Sequence, residues 1–270
     1  MNPVPIDSLD DPRIADFRDV KDRDLASRGN RFIAEGEYLV QRLLASSVPA
    51  LSILMSDRRF ASTSKPLTVP ASIPVHVAPE SLMAQITGVD FHGGILAVGQ
   101  RPDPPSIPSL INEPGPCTLV VCPEITNLAN LGAIIRVAAG FGVAGLILGE
   151  RSSDPWFRKS VRVSMGTIFN LPIVRSSDIK ADMLAMHRDM DIELVSAALV
   201  PGAIELRSAD RPRRLALVMG NEELGVHPHL ARLCQRTVMI PMHRGTDSLN
   251  VVVATGVMLY HFTTIAPPRP

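Results

Sequence analysis

Three polar stretches in the apolar C-terminal half of the sequence hold the residue types that could do chemistry. The first, Asn127–Gly142, reads N-L-A-N-L-G-A-I-I-R-V-A-A-G-F-G, with Asn130 at the start of a helical pattern and Arg136 six residues on. The second reads L-A-L-V-M-G-N-E-E-L-G from Leu215 to Gly225. It is an apolar strand that ends at Met219, breaks at Gly220 and presents Asn221 and Glu222. The third, Ile240–Tyr260, reads I-P-M-H-R-G-T-D-S-L-N-V-V-V-A-T-G-V-M-L-Y. Here a strand end, Thr237–Pro241, runs into a loop through Met242 that closes at Ser248, a good N-cap for the apolar run Leu249–Tyr260. Strand, polar loop, then helix is how a ligand site forms at the carboxyl ends of parallel strands. Gly132 and Gly140, with Ala133, Ala138 and Ala139, allow close backbone approach. Arg136 sits in an otherwise apolar helix and must find an anionic ligand or a structural carboxylate, because an unpaired buried charge is costly.

Other chemistries are poorly served. There is no G-K-[ST] phosphate loop and no G-x-G-x-x-G after a strand, which argues against nucleoside triphosphate and dinucleotide enzymes. Cys117, Cys122 and Cys234 form no CxxC pair and no metal-ligand spacing, so they read as idle thiols of a reducing compartment. His227, His229 and His243 flank the polar loops and receive no role. Trp156 and Tyr38 could stack on bases, but core or interface packing is the expectation. Lys+Arg and Asp+Glu both number 27. Any face that binds phosphate must therefore be assembled locally. The acidic N-terminus is no signal peptide and no apolar run reaches the roughly 18 residues of a membrane span, which points to the cytoplasm.

The elements that must position these loops follow from the pattern. Residues 1–30 alternate Arg13, Arg18, Lys21, Arg23 and Arg28 with Asp16, Asp19, Asp22 and Asp24, which predicts a solvated helix face laced with ion pairs or an arm that meets phosphate. Phe32–Leu44 reads as an amphipathic helix, Leu51–Met55, Ile73–Val77 and Ile95–Val98 as strands, and Ser81–Ile86 as a helical turn. These make a small α/β domain over 1–100. Six prolines between Arg101 and Pro116 predict a semi-rigid linker over 101–116. Residues 117–270 then alternate short apolar strands with helices, as in a parallel sheet covered on both faces. The strands ending at Met219 and Pro241 are consecutive and are expected to be neighbours sharing one ligand.

Taken in order, N-L-G-A-I-I-R-x-A-x-x-F-G, V-M-G-N-E-x-x-G and I-P-M-x-x-x-x-x-S-L-N-V-x-V-A resemble the three motifs of the SpoU (TrmH-type) RNA ribose 2′-O-methyltransferases, members of the SPOUT superfamily. The resemblance covers about 118–262. Arg162-Val163-Ser164-Met165-Gly166 and Leu171-Pro172 are similar to another segment of that family. R-F-I-A-E-G-E-Y-L-V resembles its ribosomal-protein-like RNA-binding extension. One departure is Asn127-Leu128, where the family often has Asp-Pro.

The resemblance implies an α/β fold whose C-terminal parallel-sheet domain carries a trefoil knot, preceded by a small RNA-binding domain. It implies a homodimer, and S-adenosylmethionine held near Gly220, Ile240 and Leu249, with Met219, Asn221 and Met242 beside it. Asn130, Arg136, Glu222, Ser248 and Asn250 fall on positions that the family uses for catalysis and substrate placement. The substrate implied is structured RNA, ribosomal RNA ahead of transfer RNA. Transfer of a methyl group from a sulfonium to a ribose 2′-OH needs alignment and help in removing a proton, and needs no metal. Arginine is effectively always protonated, so Arg136 suits phosphate positioning and stabilisation of a developing alkoxide rather than general-base work. A catalytically silent RNA-binding protein on the same fold is the competing expectation.

Overall fold

The structure is a computed structural model that describes residues 3–18, 22–27, 29–62, 67–87, 94–111 and 115–266, the first three residues of 22–27 by backbone only. The chain divides into two units. One holds Met1–Asp103 together with Trp156–Asn170, and the other holds Pro104–Pro155 and Leu171–Pro270.

The first unit begins with β1 (Pro3–Pro5), α1 (Asp22–Ser27), β2 (Arg31–Glu35) and α2 (Glu37–Leu44). It continues through β3 (Ala50–Ser56), α3 (Asp57–Ala61), β4 (Val75–Ala78), α4 (Glu80–Thr87) and β5 (Ile95–Gln100). Its sheet has the order β1-β4-β3-β5-β2, with β5 antiparallel to both neighbours and the remaining pairs parallel.

The single helix expected over 32–44 is instead a strand and a helix. Phe32, Ile33 and Ala34 pair with Gly99, Val98 and Ala97 across β5. Gly36 turns the chain at φ 91°, and only then does α2 bury Leu39, Val40 and Leu43. The continuous helix face expected over 1–30 is also corrected. That segment is broken into β1, a 3₁₀ turn at Pro12–Ile14 and α1, with Pro12 and the Asp11 cap setting the turn. Ion pairs do form there, Arg13 with Asp11, Arg18 with Asp10 and Arg31 with Asp16. Asp19, Lys21 and Arg28 lie outside the described residues, as do the side chains of Asp22, Arg23 and Asp24.

The second half of the chain runs β6 (Cys117–Cys122), α5 (Leu128–Gly140), β7 (Gly145–Leu148), α6 (Arg158–Val163), β8 (Ile173–Arg175), α7 (Ile179–Met190) and β9 (Glu193–Ala197). It ends with β10 (Ile204–Glu205), β11 (Arg214–Val218), α8 (Pro228–Ala231), β12 (Arg236–Met239), α9 (Val251–Tyr260) and a π-helical turn at His261–Ile265. Residues 156–170, with α6, group with the first unit rather than with the strands around them. The Phe32 ring explains this, since it lies 4.8 Å from Trp156 and 5.7 Å from Phe169. Glu35 adds an ion pair to Arg158 at 2.8 Å. Gly99 is required on β5 because a Cβ there would lie 2.3 Å from the Phe32 ring.

The second unit is a parallel seven-stranded sheet of order β10-β12-β9-β11-β6-β7-β8. Its central strands are buried on both faces. β11 and β12 are not neighbours, contrary to expectation, because β9 slots between them. The chain leaves β6 toward β7 and β8, then returns to build β9, β11 and β12 on the other side, which puts a topological switch point beside β6 and β11. The proline-rich stretch is more than a tether: Ile107 and Leu110 are buried in the same core as Leu119, Ile147 and Met183. At the other end, α9 lies along α5, with Gly256 facing Val137 and the Tyr260 ring 6.4 Å from Phe141.

Candidate active site

The loop leaving β11 is closed on itself by backbone. Asn221 N–H donates to the Gly225 carbonyl at 2.9 Å and Gly225 N–H returns the bond at 3.0 Å. Gly220 is the residue that permits this, because a Cβ there would lie 2.2 Å from the Gly225 carbonyl carbon. Gly225 takes a left-handed φ of 67°. The Asn221 side chain is occupied by the loop and by the segment after β6. Its oxygen accepts from Glu223 and Leu224 N–H at 2.9 and 3.1 Å, and its nitrogen donates to the Glu124 carbonyl at 3.2 Å. Asn221 thus shapes the loop, and what the loop offers a ligand is backbone.

This loop is one wall of a cavity of about 430 Å³, within the range of small-molecule sites. Met219, Gly220, Asn221, Ile240, Met242 and Leu249 all line it, so the six positions singled out for the cofactor are brought together, and Glu222 and Ser248 line it too. The third wall is the last residue of β9 and the segment after it, Ala197–Val200. Those four residues, A-A-L-V, carry no polar signal in the sequence. Only the strand order, which inserts β9 between the two polar loops, shows them to be part of the site.

Beside the cavity a chain of side-chain hydrogen bonds joins the three polar stretches. Asn250 Nδ2 donates to Asn130 Oδ1 at 3.2 Å, and Asn130 Nδ2 donates to Glu222 Oε1 at 3.2 Å. Glu222 also accepts from Asn127 N–H at 3.1 Å and from Thr126 N–H and the Asn221 amide, both at 3.4 Å. A carboxylate that takes four donors is suited to tying loops together, and less suited to removing a proton. Asn250 is also the N-cap of α9, its oxygen accepting from Val252 N–H at 2.9 Å. Ser248, expected to cap that helix, does not. Asn127 likewise caps α5, accepting from Ala129 and Asn130 N–H at 2.8 and 3.3 Å, which places Asn130 in the first turn. An Asn N-cap does here what the family's Asp before the helix would do.

Arg136 is exposed rather than buried, and among the described residues it has no ion-pair partner, so of the two expectations for it the structural carboxylate is not met and the anionic ligand is left. Six helical residues carry it roughly 9 Å along α5 from Asn130 and about 120° around the axis. It does not line the cavity of its own chain.

The three cysteines are held as thiols. Burial pushes the Cys122 thiol far up, helped by the charge of Glu222, and burial raises Cys117 and takes Cys234 to about 11. Trp156 packs on Phe32 as expected, but Tyr38 is half exposed and is not a core residue.

A sequence model of the SpoU rRNA methylase family matches residues 118–260. An uncharacterized tRNA/rRNA methyltransferase of Mycobacterium bovis is 35% identical over 264 residues, covering 94% of this chain and 89% of that one. The 23S rRNA (guanosine(2553)-2′-O)-methyltransferase RlmP of Bacillus subtilis is 24% identical over 262 residues, covering 95% of this chain and 98% of that protein. Among solved structures, the AdoMet-bound rRNA methyltransferase of Sinorhizobium meliloti superposes with a TM-score of 0.80 at 27% identity, over 96% of this chain and 97% of that one. With two of the motifs lining one cavity and the first hydrogen-bonded to both beside it, the chain belongs to the SpoU rRNA methylase family.

Proposed function

We propose that the protein is an S-adenosylmethionine-dependent RNA methyltransferase that modifies a ribose 2′-OH, with ribosomal RNA the preferred substrate class. The observation that carries the reading is the joining of the Gly220–Gly225 loop, the Ile240–Leu249 stretch and the end of β9 around one cavity, with the Asn250–Asn130–Glu222 chain at its side. The relatives named for 23S rRNA 2′-O-methylation and the AdoMet-bound structure support it.

The cavity fits the cofactor. Its apolar walls, Met219, Ile240 and Met258 among them, suit an adenosine, and the glycine at 220 lets the loop close on Gly225 so that its backbone forms one wall. Bound there, S-adenosylmethionine supplies a methyl group already activated on a sulfonium. The protein's task is then alignment and charge. Ser248, exposed on the rim, is free to hold a ribose hydroxyl, while the hydrogen bond between the Asn250 and Asn130 amides holds the starts of α9 and α5 together. Arg136 stabilises charge developing on the attacking oxygen and positions the neighbouring phosphate.

We further infer a homodimer. Val253, Val257 and Tyr260 form an exposed apolar stripe at helical spacing along α9, and the exposed Leu249 just before its cap is also part of the cavity wall. Arg136 is exposed on the neighbouring α5, and in this reading it serves the cavity of the second copy rather than its own. The trefoil knot is part of the same reading, supported by the insertion of β11 between β9 and β6 and the return of α9 along α5. So are an RNA-binding role for the first unit and a cytoplasmic site of action.

The test uses labelled S-adenosylmethionine, the purified protein and total RNA from cells lacking the gene, with digestion to locate methylated ribose. Incorporation at one 2′-oxygen, lost with Arg136→Ala, is the expected result. Cofactor binding without incorporation into any RNA would point to the silent RNA-binding protein, and absence of cofactor binding would end the methyltransferase reading.

A further inference from the structure

The first unit gathers cations on one face. Tyr38 is 49% exposed on α2, and the Arg42 guanidinium one turn on lies over its ring, 5.1 Å from the centroid. Arg42 Nη1 also donates to the Met165 carbonyl at 3.0 Å, which ties α2 to the turn after α6. That turn is pressed close. Met165 and Gly166 have φ of 53° and 76°, and a Cβ on Gly166 would come within 3.0 Å of Arg42 and 3.3 Å of Leu39. α2 is therefore joined to the C-terminal end of α6 through this turn.

The charge on it is one-sided. The carboxylates of β2, α2 and α6 are Glu35 and Glu37. Glu35 is taken by Arg158 at 2.8 Å, and Glu37 by Arg59 at 3.2 Å and the Gln41 amide at 3.1 Å. Arg162 reaches Glu35 only at 3.8 Å, with 59% of its side chain exposed, and Lys159 beside it is exposed. In a chain of zero formal net charge, this leaves the Tyr38–Arg42 pair tied to the turn after α6, the helix that carries the exposed Lys159 and Arg162.

We propose that this face, Tyr38, Arg42, Lys159 and Arg162, is a landing surface for unpaired RNA. A base stacks on the Tyr38–Arg42 pair and the flanking phosphates meet Arg162 and Lys159. Aromatic rings and guanidinium planes stack on any base, and fixed cations track the backbone, which is the chemistry of single-strand binding. An acidic protein would satisfy the charges but would leave the exposed ring without a use. Half of the surface comes from residues 156–170, which lie in sequence between two stretches of the methyltransferase sheet. The inference rests on the RNA-modifying reading above.

The experiment measures binding of the intact protein to fluorescein-labelled single-stranded oligouridine and to a duplex RNA of the same length across a salt series, with calorimetry of S-adenosylmethionine binding alongside. Tyr38→Ala is expected to weaken single-strand binding by about fivefold or more, and Tyr38→Phe to retain it. Arg162→Ala is expected to lower the salt slope by roughly 0.7. Cofactor affinity stays unchanged in all three. If the parent protein binds the RNA and the variants bind it equally well, the surface is elsewhere and the enzyme reading stands. Displacement of oligouridine by a polyglutamate peptide as readily as by RNA would overturn the assignment in favour of an acidic protein partner. A parent protein that takes the cofactor yet binds no RNA and methylates none would bring down both readings.

Discussion

Asn250 and Asn130 lie 120 residues apart in the chain and share a hydrogen bond of 3.2 Å. Through Asn130 the bond continues to Glu222, so the starts of α9 and α5 and the loop after β11 are held by one connected set of polar side chains. None of the three residues could be placed in this way from its own stretch of sequence. The arrangement gives Asn250 two separable jobs, since its oxygen caps α9 and its nitrogen holds Asn130.

Those jobs can be parted by substitution. Asn250→Asp keeps a capping oxygen but loses the donor to Asn130, so the protein should unfold at nearly the parental urea concentration while methyl transfer falls by tenfold or more (order of magnitude). Asn250→Ala loses both and should also lose about 1 kcal/mol of stability. Urea unfolding and single-turnover transfer measured on both variants decide the matter. Equal destabilisation by Asp and Ala would show that the cap contributes nothing.

Gly220→Ala tests the backbone loop. The added methyl would sit 2.2 Å from the Gly225 carbonyl carbon, an atom of the main chain that cannot swing aside. The Asn221–Gly225 bridge must open, and the cavity wall moves with it. Calorimetry should show S-adenosylmethionine binding weakened by at least tenfold (order of magnitude), with far-ultraviolet dichroism unchanged. Parental affinity in a folded variant would mean that the cofactor is held elsewhere.

Much of this was legible in the sequence. The six positions proposed for the cofactor fall on one cavity because strands that run into Met219-Gly220 and Ile240-Pro241 announce their carboxyl ends by an apolar run meeting glycine, proline and polar residues. What was not legible came from strand order and from competition between local patterns. β9 is an ordinary apolar strand, so neither its place between β11 and β12 nor its part in the cavity had a signal. Phe32–Leu44 has an apolar pattern that suits a helix, yet Gly36 divides it and β5 claims its first half. Arg136 misled in another way: burial was inferred from its apolar neighbours, but a helix packed along one face leaves the other to solvent.

The first unit should lose stability in acid by way of His76. This residue is buried, and its Nδ1 has no hydrogen-bond partner. Burial, and then the charge of Arg13, hold its pKa below the ordinary 6.5, while Asp11 pulls weakly the other way. The unfolded chain therefore binds the proton more readily, so this contribution is intact above pH 6.5 and is lost as pH falls through the folded value. Asp11, held at about 2 by its hydrogen bonds from Arg13, keeps its own contribution above 3.8 and loses it only toward pH 2. The urea midpoint of the parent should thus drop between about pH 7.5 and about pH 5.5, and the drop should shrink in His76→Leu. The same pH slope in both proteins would assign the effect to another group.

Arg136 carries the sharpest prediction, because it is exposed, unpaired among the described residues and outside its own cavity. If its charge acts on the cavity of a second copy, Arg136→Ala should lower turnover by roughly a hundredfold to a thousandfold with cofactor affinity unchanged. Gly220→Ala should be inactive for the opposite reason. In an equal mixture of the two variants, allowed to exchange subunits, half of the dimers pair one of each. One of the two sites in such a dimer then has an intact cavity facing an intact Arg136, so about a quarter of the parental activity should return. The mixture separates two arrangements that a single variant cannot. Recovery requires that the site be built from both chains, whereas no recovery, with exchange verified by mass-tagged subunits, would confine Arg136 to its own chain and to the RNA phosphate alone.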